Sequence, residues 1–343
     1  MEKVRLGRTE LWVTKTAFGA LPIQRISKAE AVRLIRRAVD GGINYFDTAN
    51  SYTDSEEKLG EALEGVPRQS VVISTKSGGG DKKTVLRHIE QSLRALRTDY
   101  IDLFQFHNPA KLPDIQDPDG PFAAALEMRE KGYIRHIGIS NHRLHVAREA
   151  IASGDFETLQ FPFCYLTTDK ELSLVEDCRQ ADMGFIAMKG LSGGLLNNAA
   201  ACYAFMREYP HVVPIWGVQH EWELDQWLEL TRQDPHMTPE LRAVIEADRK
   251  ELVGSFCRSC GYCLPCSAGI DIPQAARMSA LLRRSPYQKY MTDEWYQKMH
   301  RIESCVRCDA CKSRCPYGLD TPNLLVEMLK DYDAFYAEHR SDA

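Results

Sequence analysis

Tyr100-Ile101-Asp102-Leu103-Phe104-Gln105, running on into Phe106-His107-Asn108-Pro109, reads as a strand that ends on polar residues and stops at a proline. Seven other short runs of β-forming residues repeat it: Thr16-Phe18, Ile43-Phe46, Val71-Ser74, His136-Ile139, Thr158-Phe161, Phe185-Met188 and Val212-Ile215. The step between runs is roughly 27 residues, about one strand-helix unit of a parallel sheet. Between the runs the apolar positions switch to helical spacing. Ala31, Leu34, Ile35 and Ala38 form one stripe with Arg33, Arg36 and Arg37 off it; Val85, Ile89, Leu93 and Leu96 form another, opposite Arg87, Glu90 and Arg94. Eight strands alternating with helices predict an α/β chain closed into a (β/α)8 TIM barrel. The rival is an open doubly wound sheet, which carries a glycine-rich turn after its first strand; Gly19-Ala20-Leu21-Pro22 is not such a turn.

Working outward, Val4 to Val13 reads as two short strands around a turn, a hairpin suited to plug the bottom of a barrel. Thr238 to Leu252 reads as a helix capped by Thr238 with Pro239 in its first turn. Gly254 breaks that pattern, so the expected domains are residues 1–253, the barrel, and 254–343, a second unit. The 343 residues are enough for two domains. A net charge of −5 without blocks of one sign argues against nucleic acid as a partner. Lys82-Lys83 and Arg283-Arg284 read as solvated pairs. No run approaches the ~18 apolar residues of a membrane span, and Met1 to Arg5 leads into no apolar leader segment. The expected partners therefore exclude nucleic acid and membrane, and the expected location is cytoplasmic.

In a β/α barrel, chemistry sits at the C-terminal ends of the strands. The second run ends in Asp47, the third in Lys76, the fourth in His107 and the fifth in Ser140-Asn141, while Tyr52 follows Asp47 in the next loop. A tyrosine hydroxyl, with a pKa near ~10, is a poor acid at neutrality unless a cation favours its phenolate. A lysine can do that, an aspartate can keep the lysine charged, and a histidine can orient a carbonyl oxygen. The constellation is a proton donor for a carbonyl under reduction.

Here the sequence resembles the aldo-keto reductase family over residues 4 to 230. The resemblance rests on Phe46-Asp47-Thr48-Ala49-Asn50-Ser51-Tyr52, Ser55-Glu56 with Leu59-Gly60, Ser74-Thr75-Lys76, Asp99 to Leu103 leading to His107, and Gly138-Ile139-Ser140-Asn141. It implies a catalytic tetrad of Asp47, Tyr52, Lys76 and His107, with Tyr52 as general acid, and it places Ser140, Asn141 and Gln160 at a nicotinamide carboxamide. Met188, Gly193 and Gly217 complete the implied cofactor-binding set. Two features depart from the family. Met188 stands where an aromatic residue usually stacks on the nicotinamide, and Ile215 to Glu221 offers no basic grip for a 2′-phosphate except His220. The implied cofactor is NADPH or NADH, and a flavin stays open.

Eight of the eleven cysteines fall between Cys257 and Cys315. Cys164, Cys178 and Cys202 lie apart and read as buried hydrophobes. The first motif is Cys257-x2-Cys260-x2-Cys263-x2-Cys266 and the second Cys305-x2-Cys308-x2-Cys311-x3-Cys315-Pro316. Three thiolates at such spacing wrap three corners of a cubane, and in two-cluster ferredoxins the fourth cysteine of each run serves the other cluster. Cys257, Cys260, Cys263 and Cys315 are thus expected on one 4Fe-4S cluster, and Cys305, Cys308, Cys311 and Cys266 on the other. The first motif is irregular, with two residues rather than three before Cys266. Paired zinc sites are the alternative. Some aldo-keto reductase-like chains carry such a ferredoxin-like extension, and the resemblance extends to it. The second unit is expected to be a mostly helical ferredoxin-like domain holding two 4Fe-4S clusters.

Together these features point to an iron–sulfur oxidoreductase acting on a small carbonyl or alcohol, with an external one-electron donor or acceptor such as a ferredoxin as partner. Hydride moves two electrons and a cubane one, so the clusters are not needed for plain hydride transfer. Two other readings follow: a redox-sensing or ligand-binding barrel with structural clusters, and an NADPH-dependent reductase in which the clusters staple the fold.

Overall fold

A computed structural model describes residues 1–252, 256–284 and 287–339. The boundary expected at Gly254 lies outside the described residues. By internal contacts the chain divides into Met1–Gly190 with Asn198–Ile245, and Leu191–Asn197 with Glu246–Ala343.

The first unit opens with the antiparallel hairpin β1 (Lys3–Arg5) and β2 (Trp12–Thr14), in register Val4 opposite Val13. Eight parallel strands follow: β3 (Ala17–Gly19), β4 (Tyr45–Asp47), β5 (Val72–Ser77), β6 (Ile101–His107), β7 (Ile134–Ser140), β8 (Thr158–Pro162), β9 (Gly184–Met188) and β10 (Val212–Gly217). They pair in sequence order and β10 closes on β3, which is the expected TIM barrel. Val4, Leu6 and Val13 of the hairpin region share one apolar cluster with Tyr45, Val72, Leu103, Ile186, Val213 and Ile215. The hairpin therefore does plug the barrel bottom. Its turn needs Gly7, which lies at φ +54° and where a Cβ would fall 2.2 Å from the Gly184 nitrogen.

The helices of this unit are α1 (Lys28–Asp40), α2 (Ser55–Ala62), α3 (Lys82–Ala95), α4 (Pro121–Glu130), α5 (Leu144–Ser153), α6 (Asp169–Gln180), α7 (Ala199–Arg207) and α8 (Glu221–Gln233). Ser27 and Glu30 form a capping box that starts α1, which buries the predicted Ala31, Leu34, Ile35 and Ala38. On α3 the buried line is Val85, Ile89 and Ser92, continued by Leu96, while Leu93 is half-buried. The helical period selects Ser92 over the more apolar Leu93.

Helix α9 (Pro239–Glu251) crosses from one unit to the other, and the Leu241 N–H donates to the Thr238 hydroxyl as its cap. The second unit continues with α10 (Ile272–Ala275), α11 (Met278–Arg284), α12 (Asp293–His300), α13 (Ala310–Arg314) and α14 (Thr321–His339). Arg284 corrects the solvated-pair reading. Its guanidinium pairs with Asp248 and Glu251 and donates to the Leu195 carbonyl at 2.9 Å. No described helix is long and apolar enough to cross a membrane.

Candidate active site and cluster-binding cavities

Strand register builds the barrel mouth. Asp47 lies level with Ser74, Lys76 with Gln105, and His107 with Ser140, which in turn is level with Gln160. Alternation along β6 then carries the interior from apolar Leu103 through Gln105 to His107.

Lys76 and Asp47 form a buried ion pair at 2.6 Å. The Lys76 ammonium also donates to the Thr48 carbonyl at 2.6 Å. Asp47 accepts from the Ser74 hydroxyl at 2.7 Å, and from the Gln105 and Gln160 amides at 3.3 Å each. Burial lowers the lysine from its ordinary range, and Asp47 opposes that shift. Tyr52 is half-buried above the pair, with the Lys76 Nζ 5.5 Å from its ring centroid. His107 meets Tyr52 edge-on, ring centroids 5.8 Å apart. Burial, and then the Lys76 charge, lower the His107 imidazole to about 3, so the ring is neutral at ordinary pH. Its Nδ1 faces the Ser51 hydroxyl at 3.4 Å. The four expected residues are thus brought together.

The residues expected at a nicotinamide have other engagements. Both amide atoms of Gln160 are used inside the barrel, Nε2 on Asp47 and Oε1 accepting from Gln105 at 2.8 Å. Asn141 donates to the Pro109 carbonyl at 2.8 Å and accepts from the His142 and Arg143 N–H groups. Ser140 is buried, with its hydroxyl 3.5 Å from the Phe106 carbonyl. Met188 ends β9, half-buried, and Gly217 ends β10, exposed. His220, the lone basic candidate, caps α8 with Glu223. Gly193 falls within the second unit. With no aromatic ring at Met188 and these amides committed, the residues fit a nicotinamide poorly.

In the second unit, Cys257, Cys260, Cys263 and Cys315 line one cavity, with Tyr317 and Leu319. Cys266, Cys305, Cys308 and Cys311 line another, which Cys263 also reaches. The Cys263 thiol is pushed up to about 12, first by burial and then by crowding from Cys257 and Cys260. Among the described residues no three Cys, His, Asp or Glu side chains converge on a single-ion point. The thiols ring two volumes instead, four soft donors lining the first and five the second, with Cys263 reaching both, and this donor set fits two cubanes.

Residues 15–226, more than half of the chain, match the aldo/keto reductase family. The chain belongs to that family. In this aldo/keto reductase a second match, over residues 256–320, is to a 4Fe-4S dicluster domain. Among curated proteins it is similar to the uncharacterized oxidoreductase YqkF of Bacillus subtilis, 29% identical over 58% of this chain and 67% of that one. It is also similar to the probable aldo-keto reductase 1 of Glycine max, 26% identical over 58% of this chain and 62% of that one. The chain thus spans about two thirds of the length of these curated relatives. Over 72% of this chain and 96% of the other, its fold is similar to that of the aldo-keto reductase AKR11C1 from Bacillus halodurans in holo form, with a TM-score of 0.63 at 23% identity.

Two residues of this aldo/keto reductase's site escaped the sequence reading. Gln105 bonds both Asp47 and Gln160, and Ser74 supports Asp47. The available signal was a glutamine two residues before His107, on the same inward face of an otherwise apolar strand.

Proposed function

We propose that the protein is an iron–sulfur oxidoreductase that transfers a proton to or from a small carbonyl or alcohol at Tyr52. The observation that carries this reading is the buried Lys76–Asp47 pair lying under the Tyr52 ring. A fixed ammonium there favours the phenolate, so the hydroxyl releases its proton more readily to an oxygen gaining electrons. Asp47 keeps Lys76 charged despite its burial. With Nδ1 facing Ser51, the neutral His107 presents Nε2 to the substrate oxygen as an orienting hydrogen bond, not as an acid.

Cys257, Cys260, Cys263 and Cys315 would hold one 4Fe-4S cluster, and Cys266, Cys305, Cys308 and Cys311 the other. Such clusters exchange single electrons. We therefore assign electron supply to an external one-electron carrier and route no step through nicotinamide.

The test is an anaerobic comparison of reduced ferredoxin with NADPH as donor, over a panel of aldehydes and ketones, with iron content and the broad cluster absorption followed together. The reading expects turnover with ferredoxin, lost on iron removal and on Tyr52→Phe. Full NADPH-driven turnover by protein stripped of iron would overturn the electron route. Undiminished turnover by the Tyr52→Phe variant would overturn the proton route.

A further inference from the structure

Arg277 is a buried charge for which the chemistry above has no use. It is 5% exposed. Its Nη2 donates to the Gly193 carbonyl at 2.7 Å, and its Nε has no hydrogen-bond partner among the described residues. The titratable groups that act on it are the Cys257 thiol and the Tyr290 phenol, neither of them a carboxylate. A buried guanidinium persists only where something negative compensates it.

The geometry points to what that is. A Cβ added at Gly193, which lies at φ +66°, would sit 3.2 Å from Arg277 Nη1 and 3.7 Å from Ser259 Cβ. The guanidinium and Ser259 therefore share one neighbourhood. The Ser259 N–H in turn donates to Cys257 Sγ at 3.4 Å. Ala276, next to Arg277 in the chain, lines the cavity shared by Cys257, Cys260, Cys263 and Cys315.

We infer that Arg277 is the counter-cation of the cluster held by Cys257, Cys260, Cys263 and Cys315, a positioning residue that raises that cluster's reduction potential and fixes the loop Leu191–Asn197 beside it. The inference rests on the two-cluster reading. A cubane on four thiolates is negative, and reduction adds one more electron's charge. A fixed buried cation therefore stabilises the reduced form more than the oxidised form. The other cavity is lined by Arg314 instead, which is exposed and so screened by solvent, and the two clusters should therefore differ in their response to Arg277.

The experiment is an anaerobic redox titration of the full chain followed by electron paramagnetic resonance, with iron and sulfide content, for the wild type, Arg277→Gln and Arg277→Lys. In Arg277→Gln one of the two reduction waves is expected to move to more negative potential while the other stays, and Arg277→Lys is expected to keep the wild-type pattern. Loss of half the iron in Arg277→Gln, but not in Arg277→Lys, would equally support a counter-cation. Two unmoved waves in an iron-replete Arg277→Gln protein would overturn the inference, as would equal damage from both substitutions. Wild-type protein without iron or sulfide would instead sink the two-cluster reading, and this inference with it.

Discussion

Replacing Asp47 by asparagine removes one charge from the centre of the barrel without changing its shape. Asp47 accepts from four side-chain donors: Lys76, Ser74, Gln105 and Gln160. An amide offers one oxygen in place of two and adds two donors of its own. At least one of these donors must then face another donor, and Lys76, 1% exposed, is left as an unpaired buried cation. Breaking a buried pair from one side costs about 3–5 kcal/mol, comparable to the ~4 kcal/mol of Coulomb energy for charges ~4 Å apart at an effective dielectric constant of ~20. The double variant Asp47→Asn with Lys76→Met removes both charges and should recover most of that loss. The barrel's own unfolding can be followed through the stacked indoles of Trp216 and Trp227, whose centroids lie 3.9 Å apart and whose coupled circular dichroism vanishes when they separate. The urea midpoint of that signal should fall sharply for Asp47→Asn and return toward wild type in the double variant. A shift equivalent to less than about 1 kcal/mol for the single change would mean that Lys76 finds other compensation and that Asp47 does not pin its ammonium under Tyr52.

Three further predictions follow from the same geometry. Tyr52→Phe should lower turnover by about 10²–10⁴-fold while the Trp216–Trp227 signal stays unchanged; loss of both together would show a packing role. His107 is held at about 3, below its ordinary 6.5, so the unfolded chain binds the extra proton between those values and stability falls as pH drops through that window. The slope from this group is at most ~1.4 kcal/mol per pH unit, and His107→Gln should flatten it; an unchanged slope would refute the assignment. Cys266→Ser should halve the iron content, adding Cys308→Ser should remove little more, and adding Cys315→Ser should remove the rest; an even split of losses across all pairs would break the assignment of Cys266.

The strands are legible in the sequence because each is a short β-rich run and the runs recur at a nearly regular step. Their ends are less so. Strands β5 and β6 continue to Ser77 and His107, past the apolar runs, because the barrel's hydrogen-bonded ladder holds polar residues as readily as apolar ones at its rim. Asp47, Lys76, His107 and Tyr52 could be named because their residue types are uncommon at strand ends. Gln105 could not, because its partners Asp47 and Gln160 lie 58 and 55 residues away and only closure of the barrel brings them near. Arg284 misled for the same reason. A basic doublet looks solvated until Asp248, 36 residues earlier, is folded against it.

The seven residues Leu191–Asn197 leave the seventh barrel strand yet count with the C-terminal unit, tied there by Arg277 to the Gly193 carbonyl and by Arg284 to the Leu195 carbonyl. The second unit is therefore built from two separate stretches of the sequence. A descendant that shed everything after α9 would keep all eight strands but inherit a loop shaped for a vanished neighbour. Losing the iron–sulfur half in evolution would thus require two changes, a truncation and a rewritten loop, and the second would have to come from within the barrel itself.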